Sequence, residues 1–218
     1  MATLIDKATI CNWALNEIGE EPAYVVGGED ELSQTVDMTW QRVIDRCLAL
    51  HPWADFRKTY RLTRLAEAPE TGWKYAFELP GERIGEPLKL LQAVGECGQL
   101  LRNYYRESSL VLTNAENVWA CVRVYRDPET WDEGWRAAFV IALAAHLAVP
   151  VMNDQDLRVE LLREAFGNPS EGEAGGMFGR LIAQDRAGAP LGSPVLDNDP
   201  LTSAHTAIGN NYPWHGRW

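Results

Sequence analysis

Residues 127–152 read DPETWDEGWRAAFVIALAAHLAVPVM, and this stretch decides the fold. Asp127-Pro128-Glu129 is a helix start signal, with a capping residue, a proline near the first helical position and an early acid. The helix is expected to run to about Val149. Its second half is apolar nearly all round, which makes it the central element of a core. The most apolar part, Ala137 to Met152, is shorter than the ~20 residues of a spanning helix and carries His146 and Pro150. A core helix is therefore expected, not a membrane anchor. Trp131 and Trp135 stand four residues apart at its start.

Downstream, Asp154 can cap a further helix with Leu157, Leu161, Leu162 and Ala165 turned inward. Gly167, Pro169, Gly172, Gly175 and Gly176 interrupt it, and Met177–Arg186 resumes as a short helix. Upstream, Leu4, Ala8, Cys11, Leu15 and Ile18 form one stripe of a helix over 4–18, ended by Gly19. Val36, Trp40, Val43, Ile44, Cys47 and Leu48 share a face of a second helix from about Asp30 to Leu50, which His51-Pro52 stops. From about Thr59 the period changes to two. Trp73, Tyr75, Phe77 and Leu79 alternate with Lys74, Ala76, Glu78 and Pro80, as in a strand with one buried face. Leu88–Val94, Gln99–Arg106, Leu110–Thr113 and Val118–Tyr125 are further strands, the last two paired through the polar turn 114–117. The expected fold is α+β and mainly helical: an antiparallel helix bundle with an inserted small β lobe and an extended C-terminal arm. Its parts are N-terminal helices 1–58, the lobe 59–127, core and C-terminal helices 128–186, and the arm 187–218.

The chain has 218 residues, 46% hydrophobic and 23% charged, which suits one ordinary compact domain with an inserted lobe or tail. Its net charge is −11. That demotes a grip on nucleic acid, whose affinity comes from Lys and Arg displacing phosphate counterions. The charge is uneven. Residues 1–58 hold five bases against ten acids, 59–127 nine against nine, and 128–186 five against ten. Cys11, Cys47, Cys97 and Cys121 are scattered without ligand spacing, so buried free thiols are expected, as in a reducing cytoplasm. The first residues do not read as a signal peptide.

Motifs for chemistry are weak. Gly27-Gly28-Glu29-Asp30-Glu31 looks like the acidic turn of nucleotide cyclases, but its flanks read as helices, so a helix-joining turn with a capping carboxylate is expected. No phosphate loop and no nucleophile elbow occur. No histidine has a His or acid at i+4 that would form a helix-face metal pair, and no cofactor or metal is expected. Glu17, Glu20 and Glu21, and Asp132 with Glu133, are the acid groups that a carboxylate-pair hydrolase would draw on. With 31 acids such neighbours arise by chance.

Tryptophan is the stronger signal, with nine copies. Trp13 lies off the apolar stripe of the first helix, and with Trp131 and Trp135 it is a candidate for a subunit interface. The arm holds four glycines, four prolines and three charges, yet ends in Asn-Asn-Tyr-Pro-Trp-His-Gly-Arg-Trp. Burying Tyr212, Trp214 and Trp218 at ~200 Å² each yields about 15 kcal/mol at most. Ordering ten residues costs about 10–20 kcal/mol. One arm on one surface is marginal, whereas tethered arms docking together are not.

These features resemble the phage tail tubular protein A, or head-to-tail adaptor (connector), family. The resemblance rests on Asn12-x-Ala14-Leu15-x-x-Ile18-Gly19-Glu20, His51-Pro52-Trp53-Ala54-x-Phe56, Trp73-Lys74-Tyr75-Ala76-Phe77-Glu78-Leu79-Pro80 and Phe139-x-x-Ala142-Leu143-Ala144-x-x-Leu147-Ala148, in that order over residues 1–166. Gly81-Glu82-Arg83 departs from the acid and cysteine that often follow the Leu-Pro. The resemblance implies a homo-oligomeric ring, usually of twelve, at the head-tail junction of a virion assembled in the host cytoplasm. It would dock under the portal protein, receive a downstream tail or nozzle protein, and pass DNA without binding it specifically. Carried over by position, Tyr212, Pro213, Trp214, Arg217 and Trp218 would contact the portal. It implies no enzyme activity. The alternatives are a tail-associated peptidoglycan hydrolase and a non-viral homo-oligomeric scaffold.

Overall fold

The computed structural model describes residues 5–94, 99–168 and 175–188. The chain divides into two units, Met1–Ile182 and Ala183–Trp218, and the contacts below lie within the first. Helix α1 (Lys7–Glu17) is capped by Asp6, whose carboxylate accepts from the Thr9 amide at 2.8 Å. Helix α2 (Glu31–Leu50) is capped in the same way by Asp30 through Ser33. The acidic turn at 27–31 is thus a helix cap, with Gly27 at a φ of +71°. A Cβ on Gly28 would come within 2.6 Å of the Asp30 carboxylate, so the turn has room only for glycine.

A 3-10 turn at Ala54–Phe56 leads into β1 (Arg57–Arg61), β2 (Thr63–Arg64), β3 (Tyr75–Glu78), β4 (Arg83–Leu91), β5 (Tyr104–Glu107), β6 (Leu110–Thr113) and β7 (Trp119–Val124). All pairings are antiparallel. One sheet runs β1-β7-β4 and the other β2-β3-β6-β5. The strands share a core of their own around Phe77, Val111, Val118 and Val122.

The chain then makes a 3-10 turn at Pro128–Thr130 before α3 (Glu133–Met152). Asp132, not Asp127, caps α3, accepting from the Trp135 amide at 3.1 Å. The helix passes through Pro150 and closes at Asn153 (φ 54°), whose amide reaches the Val149 carbonyl at 2.9 Å. By length and composition α3 is long and apolar enough to cross a membrane. Its face of Trp135, Phe139, Leu143 and Leu147 is buried in the core it shares with α1 and α2. Helices α4 (Gln155–Phe166) and α5 (Gly176–Gly188) follow, Asp154 capping α4 as expected.

The expectation of a mainly helical bundle is overturned. Among the described residues, five helices and seven antiparallel strands in two sheets, 47% helical and 20% strand, make an α+β fold. Sequence underreads the strand content because β1 is exposed along almost its whole length, so no apolar alternation marks it. Strand β4 starts at Arg83 and passes Pro87 with a shift in register between Ile84 and Lys89. The expected hairpin across 114–117 is also corrected. Strand β6 pairs with β3 and β5, whereas β7 crosses to the other sheet between β1 and β4.

Candidate functional site

The helical part presents an open apolar groove, of about 700 Å³, between α1, α3, α4 and α5. Ile5, Trp13, Ala137, Val140, Ile141 and Met177 supply its apolar surface. Trp13 is there because the other face of α1 is spent: Ile10, Cys11, Ala14 and Leu15 are fully buried. Trp13 itself is 43% exposed at the edge of the groove. Glu17, Glu133 and Glu164 edge the groove against one base, Arg136. That guanidinium donates to the Trp131 carbonyl at 2.8 Å.

Trp131 and Trp135 are placed differently. Both are buried, inside an aromatic cluster that joins α2, α3 and α5. Trp131 stacks on Trp40 at 5.9 Å, Trp135 stacks on Phe139 at 5.5 Å, and Phe56 and Phe178 close round Trp135 at 4.7 and 6.1 Å. Because α3 starts only at Glu133, Trp131 precedes the helix and is not one turn along it. Of the three tryptophans expected at a subunit interface, only Trp13 reaches the surface. Tyr212, Pro213, Trp214, Arg217 and Trp218, the arm residues, lie outside the described residues.

Helix α1, which carries Trp13, is tied to α2 and to the loop between them. Asp37 of α2 accepts from Lys7 of α1 and from the Tyr24 hydroxyl, each at 2.6 Å. The Asn12 amide pairs with both backbone groups of Tyr24. Burial pushes the Asp37 carboxyl up, but the Lys7 and Tyr24 bonds outweigh it and hold the carboxyl below its ordinary value. Burial and Asp37 push the Tyr24 phenol far up. Asn12, a motif residue in the sequence, thus clamps the loop between the first two helices. Trp53 acts likewise after α2, donating its indole N–H to the Cys47 carbonyl at 2.9 Å, with the His51 ring edge-on to it at 5.1 Å. Cys11 and Cys47 are buried free thiols, and burial raises Cys11 to about 12. Cys121 is a free thiol of intermediate burial, and Cys97 lies outside the described residues. Among the described residues no three metal-ligating side chains come together.

No family model matches the chain, and no curated protein matches it.

A second surface escapes a reading of the sequence. Strand β1 is an edge strand, and Arg57, Lys58 and Arg61 on it, with Arg64 on β2, are exposed. Residues 57–64 contain no acid. Lys58 lies over Tyr60, Arg61 over Trp119 and Arg64 over Tyr75, with charge-to-ring distances of 4.6, 5.8 and 4.9 Å. The signal is present in the sequence as four bases in residues 57–64. A boundary at residue 58 hides it, since Arg57 and Lys58 then fall in a segment of five bases against ten acids and Arg61 and Arg64 in one of nine against nine.

Proposed function

We propose that the chain is a structural subunit of a head-to-tail adaptor ring, set between a portal protein and the next tail component, with no catalytic step of its own. The observation that carries this reading is the Trp13 groove: an exposed tryptophan together with the apolar side chains of Ile5, Val140, Ile141 and Met177 suits a contact with another protein chain. The ordered motifs of residues 1–166 support it, because the groups they name hold the helical face together. Asn12 fixes the loop after α1, Trp53 and Phe56 pack on Trp135, and Phe139 and Leu143 fill the centre. The surplus of acids in the helical segments supports passage of DNA without adhesion.

The test is truncation. Removing residues 205–218 takes away Tyr212, Pro213, Trp214, Arg217 and Trp218 and touches no described contact. The truncated chain is expected to keep its circular dichroism and its unfolding transition but to lose binding to the portal protein in a pull-down. Binding at full affinity would overturn the arm's assignment.

A further inference from the structure

The molecule carries two exposed surfaces of opposite character. One is the acid-edged Trp13 groove. The other is the basic edge of β1 and β2, where arginine and lysine side chains lie over tyrosine and tryptophan rings. They share no residue and belong to different parts of the fold. We propose that they are the two halves of one contact: the Arg61–Arg64 edge of one copy seats in the Trp13 groove of the next. The inference rests on the ring reading above and names the surfaces that would close the ring.

Charge complementarity selects a second copy as the occupant. Glu17, Glu133 and Glu164 against Arg136 leave the groove edge negative, and the facing segment 57–64 holds four bases and no acid. The aromatic faces beneath those bases suit the apolar floor of Trp13, Val140 and Ile141, so that both apolar area and charge are matched. Joining two different patches is a heterologous contact, the kind that repeats head to tail and closes into a ring when the rotation allows. An edge strand left open is also a hazard for uncontrolled pairing, and covering it in the assembly removes that hazard. Nucleic acid is the competing occupant of a basic, aromatic edge. It is disfavoured because the whole chain is strongly acidic, with a net charge of −11.

The experiment is a charge swap on the full chain, read by sedimentation velocity alone and on the portal protein. R61E/R64E reverses the edge. E17K/E164K reverses the groove, at two sites near helix C-terminal ends where a cation is favourable, so folding is preserved. Each pair alone is expected to weaken self-association by about tenfold or more, and an equimolar mixture of the two single-side variants, or all four changes together, to recover it. Wild-type assembly that neither pair alters would overturn this pairing and leave the ring reading standing. A wild-type chain that never self-associates, free or on portal, would overturn the ring reading as well. Loss of binding to a fluorescent 20-base-pair duplex in R61E/R64E, with assembly unchanged, would give the edge to nucleic acid and overturn the proposal.

Discussion

Replacing Trp135 by alanine removes the centre of the aromatic cluster, and the structure sets the size of the loss. Trp135 is 3% exposed and touches the rings of Trp53, Phe56, Trp131, Phe139 and Phe178. Truncation returns about 200 Å² of apolar surface to a cavity or to water, about 5 kcal/mol at ~25 cal/mol per Å². Its indole Nε1 is buried with no hydrogen-bond partner among the described residues, so losing that group offsets about 1 kcal/mol. The expected destabilisation is therefore about 3–4 kcal/mol, inside the usual range for such cavities. With a urea slope of about 2 kcal/mol per M, the midpoint should fall by about 1.5–2 M, followed by near-UV circular dichroism. Trp13→Ala is the control: its side chain is 43% exposed, and the cost should stay below about 1 kcal/mol while self-association weakens. A Trp135→Ala midpoint shift below about 0.5 M, or an equal shift in Trp13→Ala, would refute this division between core and surface.

Asp37→Asn leaves Lys7 and Tyr24 without their shared charged acceptor and should cost about 1–3 kcal/mol, measured by the same urea transition. Because the folded Asp37 carboxyl titrates below its ordinary value, its contribution is present above about pH 4 and is lost as pH falls further; the asparagine variant should show less acid sensitivity there. His146 gives a second pH window. Burial first, then Arg46, Arg42 and Arg158, hold its folded value below the ordinary ~6.5, against a bond from Nδ1 to the Ala142 carbonyl. The unfolded chain then binds the proton more readily, so stability should be full above about pH 6.5 and decline below it. His146→Gln should flatten that decline.

What can be read in the sequence follows from how local each signal is. Asp30 and Asp154 cap their helices because a cap needs only a side chain and an amide three residues on. The start of α3 is misread because Asp127-Pro128-Glu129 and Asp132-Glu133 are both valid starts, and the first opens a 3-10 turn. Alternation locates Tyr75–Glu78 and Leu110–Thr113, but it reports which face is buried and not which strand lies alongside. Hence β7 is assigned from sequence to the wrong neighbour. Trp13 is legible as an outward residue from its place off the stripe. Trp131 and Trp135 are not legible as core, since a tryptophan pair four residues apart reads the same whether the partner is its own chain or another. The basic edge escapes for the opposite reason, being obvious within residues 57–64 and lost when the chain is divided at residue 58.

The chain enters the lobe at Arg57 and leaves it at Arg123, and these two residues are register partners on β1 and β7. To the helices, everything between them counts as a hairpin turn. Closing an open loop of that length costs about 2.5 kcal/mol more than closing a turn of about four residues. Once the lobe has formed, that difference no longer falls on the contact between α2 and α3, and two helices far apart in sequence meet as if they were adjacent. Order of folding and freedom to vary follow from the same geometry: a lobe whose two ends are held together can form first, and can change its outer strands over generations without disturbing the helices that carry it.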